Sequence, residues 1–329
     1  MSKGVSRPVA VGIDLGGTNL RAAVVDPAAG EVLAQVRQPT HAHQGHAAVI
    51  QRMADLIHKA LEQGGFSLQQ VQAVGIGVPG LLDLERGVVL LLPNLPGKWR
   101  SVPLQAEIEQ RLGLPTRLIN DVRAITLGEW AFGAGRGVQT VACYAIGTGI
   151  GGGLILNGRL HLGMDGTAGE FGHTVVEPDG LPCSCGGRGC LELYTSGPAI
   201  AAMGAKAVMH GHTTLIDSLV DHDLNRITVE VIAQAARQGD AVACAIFERV
   251  GMYLGISIGN ILHSISPQRV ILAGGVALAG DLLFDPIRRT IQERVHLMPA
   301  EKVEIVPAQL GGNAGLVGAA RWAAQQGKV

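Results

Sequence analysis

The run Cys183-Ser184-Cys185-Gly186-Gly187-Arg188-Gly189-Cys190, with His173 ten residues upstream, places three thiols and one imidazole in a single short segment. That is the donor set of a tetrahedral structural zinc site. Disulfides and idle thiols fit less well. Cys183 and Cys185 are one residue apart, too close to bridge comfortably, and nothing in the sequence signals export. Four protein ligands leave no open coordination position, so a zinc ion here is expected to brace a loop and not to activate water. The chemistry is then expected in what the loop carries: Glu170, His173 and Glu192. Gly186, Gly187 and Gly189 are expected to supply positive φ and close backbone approach around the ion. Taken alone, His173 would read as an ordinary core or surface histidine. Cys143 and Cys244 sit in apolar runs and read as small core residues.

With 329 residues the chain is long enough for two domains, each with its own core. The formal net charge of −1 and the lack of a Lys/Arg-rich run argue against an extended phosphate-backbone surface. Small molecules are the expected partners, and no nucleic acid. Met1 to Pro8 contains no apolar stretch, and the apolar runs read as shorter than the roughly 18 to 20 residues of a membrane span. No membrane partner and a cytoplasmic location are therefore expected, with free cysteines suited to that reducing compartment. The 47 glycines are about twice the usual share of roughly 7 %. They cluster in short turns flanked by apolar runs, without any low-complexity tract.

Val9 to Asp14 reads as a buried strand, Leu15-Gly16-Gly17-Thr18-Asn19 as a turn, and Leu20 to Asp26 as a second strand. Thr140 to Leu156 repeats the pattern around Ile146-Gly147-Thr148-Gly149, which suggests two lobes of related architecture. Glycines let backbone N–H groups converge on phosphate oxygens, Thr18 adds a hydroxyl donor, and Asp14 suits Mg²⁺ directly or through water. One such turn is as well explained by plain hairpin geometry. Two of them form a pattern able to clamp a polyphosphate. A third element, Val270-Ile271-Leu272-Ala273-Gly274-Gly275, reads as a buried strand whose paired glycines open into a helix and admit a flat purine. The Lys-Ser/Thr pair of a P-loop is missing, as is the strand-then-helix setting of a dinucleotide fold.

Leu118-Ile119-Asn120-Asp121 ends a short strand before a helix expected from Val122 to Phe132. Asp121 reads either as an N-cap aspartate or as the base that takes a proton from an attacking hydroxyl, with Asn120 orienting hydroxyls beside it. Gly77-Val78-Pro79-Gly80 and Pro93-Asn94-Leu95 read as loops after apolar runs, and Asn94 is a candidate sugar contact. A buried polyol needs many directional partners, because each unpaired hydroxyl costs about 1–3 kcal/mol. Asn94, Asn120, Asp121, Glu170, His173 and Glu192 supply that density. Either glutamate alone would read as a solvated loop charge.

Asp14-Leu15-Gly16-Gly17-Thr18, the Asn120-Asp121 pair, Gly147-Thr148-Gly149, Gly169-Glu170-Phe171-Gly172-His173 and the Cys-x-Cys-Gly-x-x-Gly-Cys-x-Glu run together resemble the ROK family of bacterial sugar kinases and repressors. The resemblance runs from Val9 to about Ala320. It implies an α/β, actin/hexokinase-like (ribonuclease H-like) fold of two lobes with an interlobe cleft and a structural zinc loop. It also implies ATP with Mg²⁺ as donor and transfer to the 6-hydroxyl of a hexose. Asp121 would be the catalytic base. Gly80, Asn94, Asn120, Asp121, Glu170, His173 and Glu192 would contact the sugar, and His173, Cys183, Cys185 and Cys190 would bind Zn²⁺. Asp14, Gly16, Gly17, Thr18, Asn19, Gly147, Thr148, Gly149, Gly274 and Gly275 would hold the nucleotide.

The segments Gly128 to Gly137 and Pro93 to Gly97 look most like those of the family's glucokinases, so glucose is the expected acceptor. N-acetylglucosamine, N-acetylmannosamine and fructose kinases, and a non-catalytic sugar-sensing regulator, share the skeleton and stay open. Many members carry Asn-Asp-Ala-Asn where this chain has Asn120-Asp121-Val122-Arg123. Family repressors carry a helix-turn-helix ahead of the first hairpin, and the eight residues before Val9 are expected to be too few for one. The small lobe is expected at 1–122 with a returning helix at about 305–329, and the large lobe at 123–304, with helices from Ile227 to Ala236 and Ala241 to Leu262. A homodimer is expected.

Overall fold

The computed structural model describes residues 8–92, 95, 96, 99–325 and 327. In chain order its strands and helices begin with β1 (Val9–Leu15), β2 (Asn19–Asp26), β3 (Glu31–Pro39), α1 (His46–Gly64), β4 (Val71–Val78), β5 (Leu81–Asp83), β6 (Val88–Leu91) and β7 (Arg100–Val102). There follow α2 (Leu104–Leu112), β8 (Thr116–Asn120), α3 (Asp121–Phe132), β9 (Val141–Ile146), β10 (Ile150–Leu156) and β11 (Arg159–His161). Next come α4 (Glu192–Thr195), α5 (Gly197–Met209), α6 (Leu215–Leu219), α7 (Val229–Arg237) and α8 (Ala241–Ile265). The chain continues through β12 (Arg269–Ala273), α9 (Asp281–Arg294), β13 (Glu304–Pro307) and α10 (Ala314–Ala324). Chain contacts divide it into two compact units. The first holds Met1–Gln139, Gly153–Gly169 and Gln309–Val329, and the second holds Thr140–Gly152 and Glu170–Ala308.

In the first unit the sheet order is β3-β2-β1-β4-β8. The hairpin strands run antiparallel, while β1, β4 and β8 are parallel, with Asp14 opposite Gly77 and Val78 opposite Asn120. Parallel register brings Asp14, the Gly77-to-Gly80 segment and the Asn120-Asp121 pair to one edge, at the carboxyl ends of the strands, where α/β sheets offer ligand sites. Alternation along β1 sorts its two faces. Val9, Val11 and Ile13 join Val49, Ile50, Met53 and Ile57 of α1 in one core, and Ala10 packs with Leu316, Val317 and Ala320 of α10 in another. Gly12 and Gly75 explain how α10 lies so close. A Cβ at either position would fall within 2 Å of the α10 carbonyl oxygens of Leu316 and Ala319, at 1.9 and 1.8 Å. The buried Glu129 carboxylate fastens the end of α3 to the approach of α10, accepting the N–H groups of Ala134, Gln309 and Leu310 at 2.7–3.0 Å. A small antiparallel sheet, β5-β6-β7, takes up the segment after β4, part of which reads from sequence only as loop.

The second sheet has the order β11-β10-β9-β12-β13, with β9, β12 and β13 parallel. Ala145 pairs with Ala273, so the turn after β9 and the Gly274-Gly275 pair after β12 leave the sheet together. Gly274 is set against the chain so closely that a Cβ there would meet the Ile146 carbonyl oxygen at 2.2 Å. The glycine pair opens into a 3-10 turn, Gly275–Ala279, and the regular helix α9 starts only at Asp281.

Helix α8 corrects the expectation that no apolar run reaches spanning length. Its 25 residues are long and apolar enough to cross a membrane by length and composition, yet 56 % of its 18-residue apolar window is buried inside the protein. Its inward face is a core face. Gly251 and Gly255 lie against Pro286 and Thr290 of α9, and Phe247, Leu254 and Ile258 are buried. Asp240 caps it, accepting from the Ala243 N–H at 2.8 Å.

Candidate active site and metal cluster

The four expected metal ligands converge. His173 Nδ1 and the sulfurs of Cys183, Cys185 and Cys190 all lie within 4.8 Å of one another, with Cys183 Sγ to His173 Nδ1 and Cys185 Sγ to Cys190 Sγ both at 3.7 Å. Bonds of about 2.3 Å to sulfur and about 2.05 Å to nitrogen at tetrahedral angles require S···S near 3.8 Å and S···N near 3.6 Å. The quartet therefore fits a four-coordinate zinc, and the cysteines are unbridged. Gathering sulfurs has an electrostatic cost. The Cys190 thiol is pushed up to about 12, first by burial and then by Cys183 and Cys185, and the Gly187 backbone N–H holds the exposed Cys185 below its ordinary value. A bound dication reverses that cost, since it favours the thiolates.

The loop is shaped for this. The Cys183 N–H donates to Gly187 O, the Gly186 N–H to Cys183 O, and the Gly189 N–H to Leu181 O, at 2.8–3.0 Å. Gly186 and Gly189 have φ of +92° and +70°, and a Cβ on Gly189 would lie 1.7 Å from the Glu177 carbonyl oxygen. Gly187 does not adopt positive φ, and it serves the turn through its carbonyl, which accepts the Cys183 N–H.

What the loop carries is then fixed. Leu191 N–H donates to Thr174 O at 2.9 Å, and Glu192 follows at once, opening α4. Its Oε2 accepts the Ile150 N–H at 2.7 Å, immediately after the Gly147-Thr148-Gly149 turn. A Cβ on Gly149 would meet that oxygen at 2.6 Å, so a side chain there would displace the Glu192 carboxylate. Glu170 is exposed and begins the 3-10 turn that ends at His173, whose N–H donates to Glu170 O at 3.0 Å. The metal cluster, both glutamates and the second glycine turn thus share one framework within the second unit.

A cavity of about 280 Å³ opens beside that turn, lined by Gly147, Thr148 and Gly275 together with residues no motif marks: Gly197, Pro198 and Ala201 of α5, and Ile227 to Glu230. Val276 completes its apolar wall. The Gly197 N–H donates to Gly147 O at 2.8 Å, joining the start of α5 to the turn. The Thr228 hydroxyl holds the Glu230 carboxyl below its ordinary range, so it stays ionised at the rim. Sequence reasoning found the glycines of this pocket but not Pro198, Thr228 or Glu230.

In the first unit, Arg21 donates to Asp14 Oδ2 through Nε at 3.0 Å and Nη2 at 2.5 Å, and through Nη1 to Gly312 O at 2.6 Å. Gly16 closes the first turn by donating to Asn19 O at 3.0 Å, and Gly17 and Thr18 are exposed. Asn19 opens β2, and its Oδ1 accepts from Arg37 Nε at 3.0 Å. Helix α3 begins one residue earlier than expected. Its N-cap is Asn120, whose Oδ1 accepts the N–H groups of Val122 and Arg123, so the capping alternative for Asp121 is set aside. Asp121 is the first helical residue and is partly buried, and its Oδ1 accepts the Val122 N–H at 2.9 Å. Asn120 Nδ2 faces Gly80 O at 3.5 Å. Asn120, Asp121 and Gly80 are thereby brought together. Asn94 lies outside the described residues.

Comparison with known proteins agrees with this geometry. The ROK family model matches residues 10–326. Glucokinase from Thermotoga maritima is 38 % identical, over 94 % of this chain and 95 % of its own length. A crystal structure of a ROK family glucokinase from Streptomyces griseus in complex with glucose and AMPPNP superposes with a TM-score of 0.82 at 37 % identity, covering 96 % of this chain and 99 % of that one. A xylose repressor from Caldicellulosiruptor bescii is 30 % identical over 96 % of this chain and 81 % of its own length. With the metal quartet, the paired glycine turns and the Asn-Asp helix start all in place, the chain belongs to the ROK family.

Proposed function

We propose that the chain is an ATP-dependent hexose kinase of the glucokinase type, which transfers the γ-phosphoryl group of ATP to the 6-hydroxyl of glucose. The observation that carries the reading is the tie from Glu192 to Ile150. A carboxylate placed by the metal loop is joined to a phosphate-type glycine turn, so sugar ligands and nucleotide ligands share one frame. The full-length similarity to glucokinases, one of them solved with glucose and AMPPNP, supports the same reaction.

On the acceptor side Asp121 receives the proton of the attacking hydroxyl and Asn120 donates to a neighbouring one. Glu170, Glu192, Asn94, the His173 ring and the Gly80 backbone hold the rest of the polyol. Asp121 sits at the first position of α3, directly after the Asn120 cap, and its Oδ1 accepts the Val122 N–H. As the O6–phosphorus bond forms, the bond to ADP breaks and the proton passes from O6 to Asp121. Because the transition state is loose, alignment and charge neutralisation contribute most of the acceleration, and the base acts late.

On the donor side Gly16, Gly17, Thr18, Asn19, Gly147, Thr148 and Gly149 offer N–H and hydroxyl donors to the phosphates, helped by the start of α5 beside Gly147. Pro198, Ile227, Val229 and Val276 suit the flat base against Gly274 and Gly275, and Thr228 and Glu230 suit ribose hydroxyls. Both bonds from Arg21 to Asp14 fall on Oδ2, which leaves Oδ1 for Mg²⁺ or its water. When bound with ATP, that Mg²⁺ offsets charge on the β- and γ-phosphates. Zinc, held by His173, Cys183, Cys185 and Cys190, would supply rigidity alone. With Nδ1 turned to the cluster, Nε2 is the ring nitrogen left for the sugar.

A cytoplasmic homodimer belongs to the same proposal, and light scattering on the purified chain reads its oligomeric state. The deciding experiment is ADP release from ATP across a panel of glucose, mannose, fructose, N-acetylglucosamine and N-acetylmannosamine. Glucose is expected to give the highest kcat/KM. Calorimetric sugar binding with no turnover on any hexose would overturn the reading in favour of a sugar-sensing regulator, the role that the xylose repressor's name suggests for that relative.

A further inference from the structure

We propose that Arg123 is a positioning residue for the sugar side of the site, fixing which end of the Asn120 carboxamide meets the acceptor hydroxyls; this rests on the hexose kinase reading. Asn120 Oδ1 collects three donors: the Val122 N–H at 3.0 Å, the Arg123 N–H at 3.3 Å, and Arg123 Nη1 at 2.8 Å. The first two are the capping bonds of any good N-cap residue. The third is the shortest and comes from a guanidinium whose residue is only 2 % exposed. A hydrogen bond from a charged donor is about twice as strong as a neutral one.

The consequence is directional. The two ends of a carboxamide have nearly the same shape and opposite chemistry. Turned the other way, Asn120 would set its NH₂ group against two backbone N–H groups and a buried cation, with no acceptor among them. Arg123 therefore locks the oxygen inward and Nδ2 outward. There, among the described residues, it donates to Gly80 O at 3.5 Å, the outer limit of a hydrogen bond. Gly80 itself has a φ of +91°, which most other residues would not adopt without strain. An amide donor with so weak a protein bond is poised for an incoming oxygen.

Beside it, the Asp121 carboxylate can only accept. The pair then sorts hydroxyls by role, since the one at Asn120 must offer a lone pair and the one at Asp121 must offer its proton. Asn, Asp, Ser or Thr at position 120 could cap α3, but only an amide held in this orientation accepts all three inward donors through one atom and presents a separate NH₂ donor outward. Arg123, one of the two residues at which this chain departs from the common Asn-Asp-Ala-Asn pattern, adds the charged bond that holds it.

The test is a double-mutant cycle in steady-state kinetics on the full chain, with Arg123→Met, Asn120→Ala and the double variant, alongside Arg123→Lys. The Arg123→Met change is expected to raise the KM for glucose about tenfold, the size of one hydrogen bond. The KM for ATP should be unchanged and kcat should stay within about threefold. The Arg123→Lys change should recover part of the loss, and in the Asn120→Ala background Arg123→Met should add nothing. An equal rise in both backgrounds overturns the proposal, as does an unchanged glucose KM, or a parallel loss for both substrates that lysine does not restore.

Should the methionine variant not fold, Asn120→Asp carries the test. A carboxylate accepts from Arg123 at least as well as an amide and donates nothing, so thermal stability should hold while glucose affinity falls at least tenfold. A drop in Tm, or unchanged glucose affinity, overturns the proposal. A wild-type chain that turns over no hexose defeats the kinase reading itself, an outcome distinct from all of these.

Discussion

Glu192 offers the sharpest separation of scaffold from substrate contact, because the two readings predict different patterns for two substitutions. Its Oε2 accepts the N–H of Ile150, a residue only 4 % exposed, at 2.7 Å. A bond to a charged acceptor contributes about 1.5–3 kcal/mol and a neutral one about 0.5–1.5 kcal/mol. Glu192→Gln keeps an oxygen that can still take the N–H, so stability should fall by about 1 kcal/mol. Glu192→Ala leaves the N–H to whatever water can reach it, and about 2 kcal/mol should be lost. If the same carboxylate also accepts a sugar hydroxyl, the glutamine variant should weaken glucose binding about tenfold and the alanine variant about a hundredfold. Urea unfolding reads the first quantity and isothermal titration with glucose the second. Glucose affinity indifferent to Glu192→Gln would refute the sugar contact, and an alanine variant as stable as the parent would refute the tie to the glycine turn.

Asp121→Asn should lower kcat by about 10²–10⁴, the usual worth of a general base, while glucose affinity changes far less, as stopped-flow and equilibrium binding would record; a variant keeping most of its kcat refutes the role. Purified protein should carry one zinc per chain by elemental analysis. Cys190→Ser, at a site 1 % exposed, should lose that metal and weaken glucose binding while nucleotide binding stays closer to that of the parent. Asp240 provides a pH signature. Burial alone would raise its carboxyl, but the N–H groups of Ala243 and Leu215 and the Thr214 hydroxyl together hold it below the ordinary value. A depressed folded-state value means stabilisation that is present above the unfolded value of about 3.9 and lost as pH falls through the folded one. Asp240→Asn should therefore unfold more easily at pH 7 by urea titration, with the gap from the parent closing below about pH 4.

The metal quartet was legible because coordination chemistry restricts both donor type and reach, so Cys183, Cys185, Cys190 and His173 announce one another without any knowledge of the fold. The glycine turns were legible for a similar reason, as short backbone devices written in consecutive residues. Pro198, Thr228 and Glu230 were not. Their segments meet Gly147 only through tertiary packing, and each alone reads as an ordinary helix start or loop. The start of α3 lay one residue from its expected place because Asn120 and Asp121 are both good caps, and only the carboxamide's two backbone bonds decide between them. The apolar run within α8 read as too short for a span because Glu248 and Arg249 interrupt it, whereas the helix itself continues through both.

The seating of α10 on β1 and β4 bears on how this chain must be made. Pro27 and Arg321, joined by a hydrogen bond, are 294 positions apart, and one face of the first-built strands is closed by a helix that a ribosome delivers far later. Until then the nascent protein holds Ala10, Ala23 and Val25 uncovered, a half-finished surface inviting misassociation. Slow release or chaperone occupancy during that interval, more than the final thermodynamic stability, would then govern how much active material a cell obtains.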